Sequence, residues 1–332
     1  MTSFFRSQAI FRPGLPGMLH CHAATLVDTA GSALLAAWFG GTRQGHADVG
    51  IWLARFQADQ WYPPIRIARV PGVPLWNPVL FRDRLDAIWL WYKAGPTVAA
   101  WTGAHIRSTD DGYTWSPPVY LPAGLLGPSK NKPIILSNGD VLCGTSAETW
   151  NSWACWLERS SDGGMTWQKY GPICAPLPSD GAPPADRAAA EVSVPQVIQP
   201  DNFAGVIQPV IWEYAARRLK MLMRATRRVG RICQSTSDDM GYTWSAAQRT
   251  DLQNPNSGLE ATTGGTGVGG APCVAAAGDF RLPQPERAGA ACAASYHLRR
   301  GQGQRPPGFY AGAEHPQGRR RLRLGRRCQP GR

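Results

Sequence analysis

An eight-residue pattern, Ser-x-Asp-x-Gly-x-Thr-Trp, stands three times in the chain, at Ser108 to Trp115, Ser160 to Trp167 and Ser237 to Trp244. Five fixed positions recurring three times define a repeat, and a repeat constrains the fold more than any local propensity does. A worn fourth copy, Arg55-Phe56-Gln57-Ala58-Asp59-Gln60-Trp61, precedes them. The tryptophans are spaced by 54 residues (61 to 115) and 52 residues (115 to 167), then by 77 (167 to 244). The long interval contains a Pro-, Ala- and Gly-rich stretch over 171–205, read as a loop inserted into one unit.

A second signal lies 34 to 37 residues before each Trp, where a polar residue is followed by Pro and an aliphatic run. The three copies are Asn77-Pro78-Val79-Leu80, Lys132-Pro133-Ile134-Ile135 and Gln208-Pro209-Val210-Ile211, and His22-Ala23-Ala24-Thr25-Leu26 occupies the matching place in the first unit. Each unit therefore reads as short strands ending in a hairpin that carries the eight-residue box. Units of 40 to 55 residues built this way are the mark of a radially repeated, all-β propeller of four-stranded blades. The box itself reads as structural. Its Asp accepts backbone N–H bonds, its Gly permits positive φ, and its Trp packs between blades. Asp110, Asp162 and Asp239, with Trp115, Trp167 and Trp244, are assigned to the fold and not to catalysis.

Composition breaks at the end. All 14 Trp precede Ser245, and from Thr262 to Arg332 there are 12 Arg and no Lys against Asp279, Glu286 and Glu314. That segment carries +9 of the formal +12, so the body is nearly neutral and nucleic acid is not expected as a partner. Residues 262–332 are expected to be a disordered, low-complexity tail resembling GC-rich DNA translated in a shifted frame, which leaves the propeller incomplete at its C-terminus. Residues 1–16 are read as an N-terminal extension and 17–261 as the blades.

No apolar run reaches the length of a signal-peptide core or a membrane span, so a cytoplasmic protein without membrane association is expected. The eight Cys lack paired short spacings, and no phosphate loop or dinucleotide fingerprint occurs, so no cofactor and no metal is expected.

The innermost strands of a propeller aim their first residues at the axis. Asn77, Lys132 and Gln208, with His22, are candidates on that ground. Fifteen residues after each repeated Pro comes Lys93, Glu148 and Arg224 in turn, and equal offsets imply equal structural places. Arg224 interrupts an apolar strand, where a charge needs a partner or a polar pocket. In the first unit Gly40-Gly41 permits a sharp bend that presents Arg43, with Asp48 returning from the same loop.

These residues resemble the sialidase (neuraminidase) superfamily, and more closely its BNR-repeat, sialidase-like glycosyl hydrolases. The resemblance runs from about Gly17 to Glu260 through AAWFGGTRQG, DVGIWLAR, WNPVLF, WLWYKAGP, IQPVIWE, NPNSGLEA and the Asp boxes. It implies a six-bladed propeller in which arginines grip a substrate carboxylate, a Tyr beside a carboxylate is the nucleophile, and an Asp is acid and base. Carried over by position, Arg43 and Arg224 resemble two of the arginines, Asp48 the acid/base residue and Glu148 the carboxylate beside the nucleophile. Tyr92 and Tyr214 lie in the wrong units for the nucleophile. The resemblance implies exo-hydrolysis of terminal acidic sugars, with an anionic carbohydrate as partner. A polysaccharide lyase using His22 or a Tyr as base, or a carbohydrate-binding propeller without turnover, are the alternatives.

Overall fold

The computed structural model describes residues 4–11, 15–176, 203–254 and 256–263, with two further strands at 272–276 and 293–298. Every element among them is a strand. Strand β1 (Phe4–Ala9) is followed by the first blade: β2 (His20–Asp28), β3 (Leu34–Gly41) and β4 (Gly50–Gln57), with short β5 (Gln60–Trp61) and β6 (Ile65–Ala68) both paired to β4. The second blade is β7 (Leu75–Arg82), β8 (Ile88–Ala94), β9 (Thr102–Ser108) and β10 (Val119–Tyr120). The third is β11 (Ile134–Ile135), β12 (Val141–Glu148), β13 (Trp153–Ser160) and β14 (Gln168–Cys174). The fourth is β15 (Val206–Ala215), β16 (Arg218–Ala225), β17 (Arg231–Ser237) and β18 (Gln248–Gln253). All four are antiparallel meanders. Beyond them β19 (Leu259–Thr263) pairs with β20 (Pro272–Ala276), and β1 pairs with β21 (Ala293–Leu298). Among the described residues this is a four-blade propeller arrangement, with the two-stranded pairs β19–β20 and β1–β21 beyond it.

The blades stack face to face, which explains why β3 and β8 are buried along their whole lengths. A strand covered on both faces needs no polar alternation, and Ile88-Trp89-Leu90-Trp91-Tyr92 has none. Leu35, Ile51 and Leu53 of the first blade pack with Leu80, Ile88 and Leu90 of the second. Leu142 and Leu157 of the third pack with Ile211, Met221 and Met223 of the fourth. Each fully buried Leu or Ile in these interfaces contributes about 2 kcal/mol.

The three Asp boxes occupy one place in three successive blades, between the third and fourth strands. Asp110 accepts from Ser108 Oγ at 2.7 Å, Thr114 Oγ1 at 2.6 Å and Thr114 N at 2.9 Å. Asp162 makes the same bonds to Ser160 and Thr166, and Asp239 to Ser237 and Thr243. Trp115, Trp167 and Trp244 each donate Nε1 to the carbonyl of the box Gly, at 3.2, 3.1 and 3.0 Å. In the worn first copy the loop shrinks to Ala58-Asp59, both at positive φ, and Trp61 packs on Phe56 instead.

Three boundaries differ from the sequence reading. The N-terminal extension is part of the fold, since β1 is paired and Phe11 stacks on Trp38 at 5.3 Å. The insertion begins later than 171, because β14 runs to Cys174 with Ile173 buried against β13; residues 177–202 lie outside the described residues. The tail contains β20, paired with its near neighbour β19, and β21, whose partner β1 is too distant in sequence for a local pattern to reveal; the rest of 264–332 lies outside the described residues.

Candidate functional site at the propeller axis

The inner strands of the first, second and fourth blades each carry a bulge near their start. Asn77 and Gln208, the residues before the repeated prolines, have φ of 40° and 54°, and pairing slips beside them. In the first blade Ala23 has this conformation, at φ 53°. The structural counterpart of Asn77 is thus Ala23 and not His22, a one-residue correction; His22 stacks on Phe39 at 5.6 Å. Pro fixes the residue after the bulge in two blades, whereas the first blade uses Ala24 and so leaves the register ambiguous in sequence.

These bulges link neighbouring blades. Thr25 Oγ1 accepts from Leu80 N at 3.2 Å, Asn77 Nδ2 donates to the Ser129 carbonyl at 3.1 Å, and Asn131 Nδ2 donates to the Gln208 carbonyl at 2.9 Å. Lys132 reaches further, donating Nζ to the carbonyl of Leu26 in the first blade. Burial lowers the pKa of Lys132, while Glu260 and Asp28 oppose the shift.

Lys93, Glu148 and Arg224, fifteen residues beyond the three prolines, come together on the second strands of three successive blades. Lys93 is fully buried and donates to the Pro128 carbonyl at 2.7 Å. Burial pushes its pKa down to about 8 against the opposing fields of Glu158, Cys143 and Glu148. Glu148 is also buried, and burial raises its carboxyl above the ordinary range. Its hydrogen bond from Ser146 Oγ at 2.9 Å and the charges of Arg224 and Lys93 oppose that rise. Arg224 donates Nε to Asn256 Oδ1 at 2.8 Å and Nη1 to Gln208 Oε1 at 3.2 Å, and lies 6.0 Å from the centroid of Trp153. Burial therefore favours the protonated carboxyl of Glu148, and the fields of the ammonium and the guanidinium work against it.

Arg43 and Asp48 share a loop of the first blade. Arg43 is exposed. Asp48 Oδ2 accepts from Thr42 N at 2.8 Å and Thr42 Oγ1 at 2.6 Å, and the Thr42 hydroxyl holds its carboxyl below the ordinary range. Both lie on the β3–β4 connection of the first blade, whereas Lys93, Glu148 and Arg224 lie on the second strands of the other three.

The profile of the BNR repeat-like domain matches residues 32–278, well over half of the chain. The chain belongs to the BNR repeat-like family. This BNR repeat-like chain is similar in fold to a protein of unknown function from Dyadobacter fermentans (16% identity, TM-score 0.60, 77% of this chain and 75% of that one). It is also similar to the NanB sialidase of Streptococcus pneumoniae (12% identity, TM-score 0.59, 88% and 61%). A third neighbour is the α-L-arabinanase of Penicillium chrysogenum, solved with arabinobiose (15% identity, TM-score 0.57, 90% and 83%). The chain spans about three-fifths of the sialidase's length. Comparison with curated proteins gave no match.

Within this BNR repeat-like propeller the sequence reading missed several members of the axial group. Lys130, two residues before Lys132, is pushed down by burial and by Arg224 and supported by Glu260. Asn256, at φ 68°, anchors Arg224, and Asn254 Oδ1 in turn accepts from Asn256 N at 3.0 Å. These residues sit on connections, where no strand period marks them; the Asn254-Pro255-Asn256 segment, which restates the polar-Pro signal, was the available clue. Among the described residues no group of three or more His, Cys, Asp or Glu is arranged to hold a metal ion.

Proposed function

We propose that this chain acts on terminal acidic sugars at the Lys93, Glu148 and Arg224 group as a sialidase-like exo-glycoside hydrolase. The observation that carries the reading is the buried carboxyl of Glu148 between Lys93 and Arg224. A carboxyl raised above its ordinary range is the better placed to supply a proton to a leaving glycosidic oxygen. Arg224, oriented by Gln208 and Asn256, offers a planar donor set matched to a sugar carboxylate. Arg43, exposed on the first blade, acts as the second guanidinium, and Asp48, held ionised by Thr42, stabilises developing positive charge on the sugar rather than donating the proton.

The test is turnover of a fluorogenic sialoside, and separately binding of free sialic acid, by the full chain. Glu148→Gln is expected to lower kcat by roughly 10²- to 10⁴-fold with little change in KM. Arg224→Leu is expected chiefly to raise KM. Absence of both binding and turnover contradicts the reading, and an unsaturated product absorbing in the near ultraviolet reassigns the chemistry to a lyase.

Binding without turnover is the second reading, favoured by Tyr92. Its phenol is 2% exposed, and burial pushes its pKa up to about 12, which unfits it as a nucleophile. Saturable binding of sialic acid with no product formed supports this second reading.

A further inference from the structure

The connection from β10 to β11 carries a cation whose backbone is pinned and whose ammonium is left unsatisfied. Glu158 of β13 accepts from Leu126 N at 2.8 Å and Gly127 N at 2.7 Å, Lys93 donates to the Pro128 carbonyl, and Ser129 N donates to the Gly144 carbonyl at 3.0 Å. Ser129 Oγ lies 2.9 Å from Ser146 Oγ, the hydroxyl that holds Glu148, and Asn131 donates across to the Gln208 carbonyl. Lys130 is thus fixed at its base by Lys93 and by the residues that orient Glu148 and Arg224.

Its side chain runs to Gly258. A Cβ at that glycine would stand 3.1 Å from Lys130 Cε, tighter than ordinary contact, so the lack of a side chain there gives the ammonium its space. Asn256, two residues earlier on the same connection, accepts from Arg224 Nε at 2.8 Å. One short segment therefore draws together an ammonium from beside the third blade and a guanidinium from the fourth. Burial lowers the pKa of Lys130; Glu260 opposes the shift and Arg224 adds to it.

The other two lysines of the group donate to carbonyls, Lys93 to Pro128 and Lys132 to Leu26. Lys130 is half-buried and has neither a hydrogen bond nor an ion pair among the described residues. Glu260, whose field reaches both Lys130 and Lys132, makes no ion pair with either. A cation drawn partly out of water beside a second cation is costly until an anion joins it.

We propose, on the reading of this group as a site for acidic sugars, that Lys130 seats the sugar carboxylate together with Arg224 and so sets the preference for acidic over neutral sugars. A planar guanidinium and an ammonium with donors to spare match the two oxygens of one carboxylate.

The test is isothermal titration calorimetry of the full chain with sialic acid and with its methyl ester, in which the carboxylate charge is gone. Two charge-assisted hydrogen bonds, each worth roughly ten-fold, give the wild type roughly 100-fold preference for the acid. Lys130→Met is expected to cut that ratio to roughly ten-fold with ester affinity unchanged, and to raise the Tm of the free chain by removing the unsatisfied charge. Lys130→Arg is expected to keep the ratio. An unchanged ratio in Lys130→Met overturns the proposal and leaves the sialidase reading standing. A lowered Tm in that variant shows a lysine already partnered and overturns it as well. A wild type that binds neither compound overturns both, whereas the expected ratios without turnover of a fluorogenic sialoside support the carboxylate seat and remove the hydrolase reading.

Discussion

Arg159 and Asp140 form an ion pair in the interior of the third blade, with Arg159 Nε 2.7 Å from Asp140 Oδ2 and side chains only 4% and 11% exposed. The same guanidinium crosses to the fourth blade through Met240 and Tyr242, so one residue joins the interior of a blade to its neighbour's box. Removing one partner of a buried pair strands the other charge. Arg159→Met is therefore expected to cost about 3–5 kcal/mol in urea unfolding, and Arg159→Met with Asp140→Leu to recover much of it. A double variant no more stable than the single one contradicts this.

The Asp boxes make stability depend on acid. Hydrogen bonds from Thr114 and Ser108 hold Asp110 down at about 2, and those from Thr166 and Ser160 depress Asp162 further. A carboxyl depressed on folding stabilises above its unfolded pKa near 3.8, and that stabilisation is lost as pH falls through the folded value. Because these carboxyls are exposed and screened by solvent, Tm is expected to fall only modestly on their account between about pH 4 and 2. Asp110→Asn should lower Tm at pH 7 and flatten the fall, as differential scanning calorimetry would record.

His105 works at milder acidity. Burial, assisted by Arg107, lowers its pKa to about 4, and its ring lies 4.9 and 4.7 Å from Trp89 and Trp91. A histidine depressed on folding binds its proton more readily when unfolded. Stability is therefore lost as pH drops from its unfolded pKa of 6.5 towards 4. His105→Gln is expected to remove that slope in Tm against pH between those limits.

Glu148 predicts a signature at the axis. Because burial raises its carboxyl, activity that needs its proton declines as pH rises through the raised value. Ser146→Ala removes a hydrogen bond that favours the ionised form, so the basic limb of the rate profile should move to higher pH, with kcat less affected than in Glu148→Gln. An unmoved limb assigns the proton to another group.

The boxes and the polar-Pro signal were legible because they are local: a hairpin and a bulge each need particular residues within eight positions. The offset of fifteen from the prolines puts Lys93, Glu148 and Arg224 on the second strands of three blades, because each interval spans the end of an inner strand, a turn and most of the next strand. His22 was misregistered by one because Ala23 and Ala24 lack the Pro that marks the bulge elsewhere. Strand β1 was read as an extension because its partner lies nearly three hundred residues away, at 293–298. Lys130 and Asn256 were missed because connections carry no periodicity, and their environment is set by blades remote in sequence.

The most direct measurement is a crystal structure of the full chain soaked with sialic acid. The account expects the sugar at the axis, with its carboxylate on the Arg224 guanidinium and Glu148 beside the anomeric oxygen. Sugar bound away from Lys93, Glu148 and Arg224, or an axis left without sugar when the crystal is saturated, would contradict it.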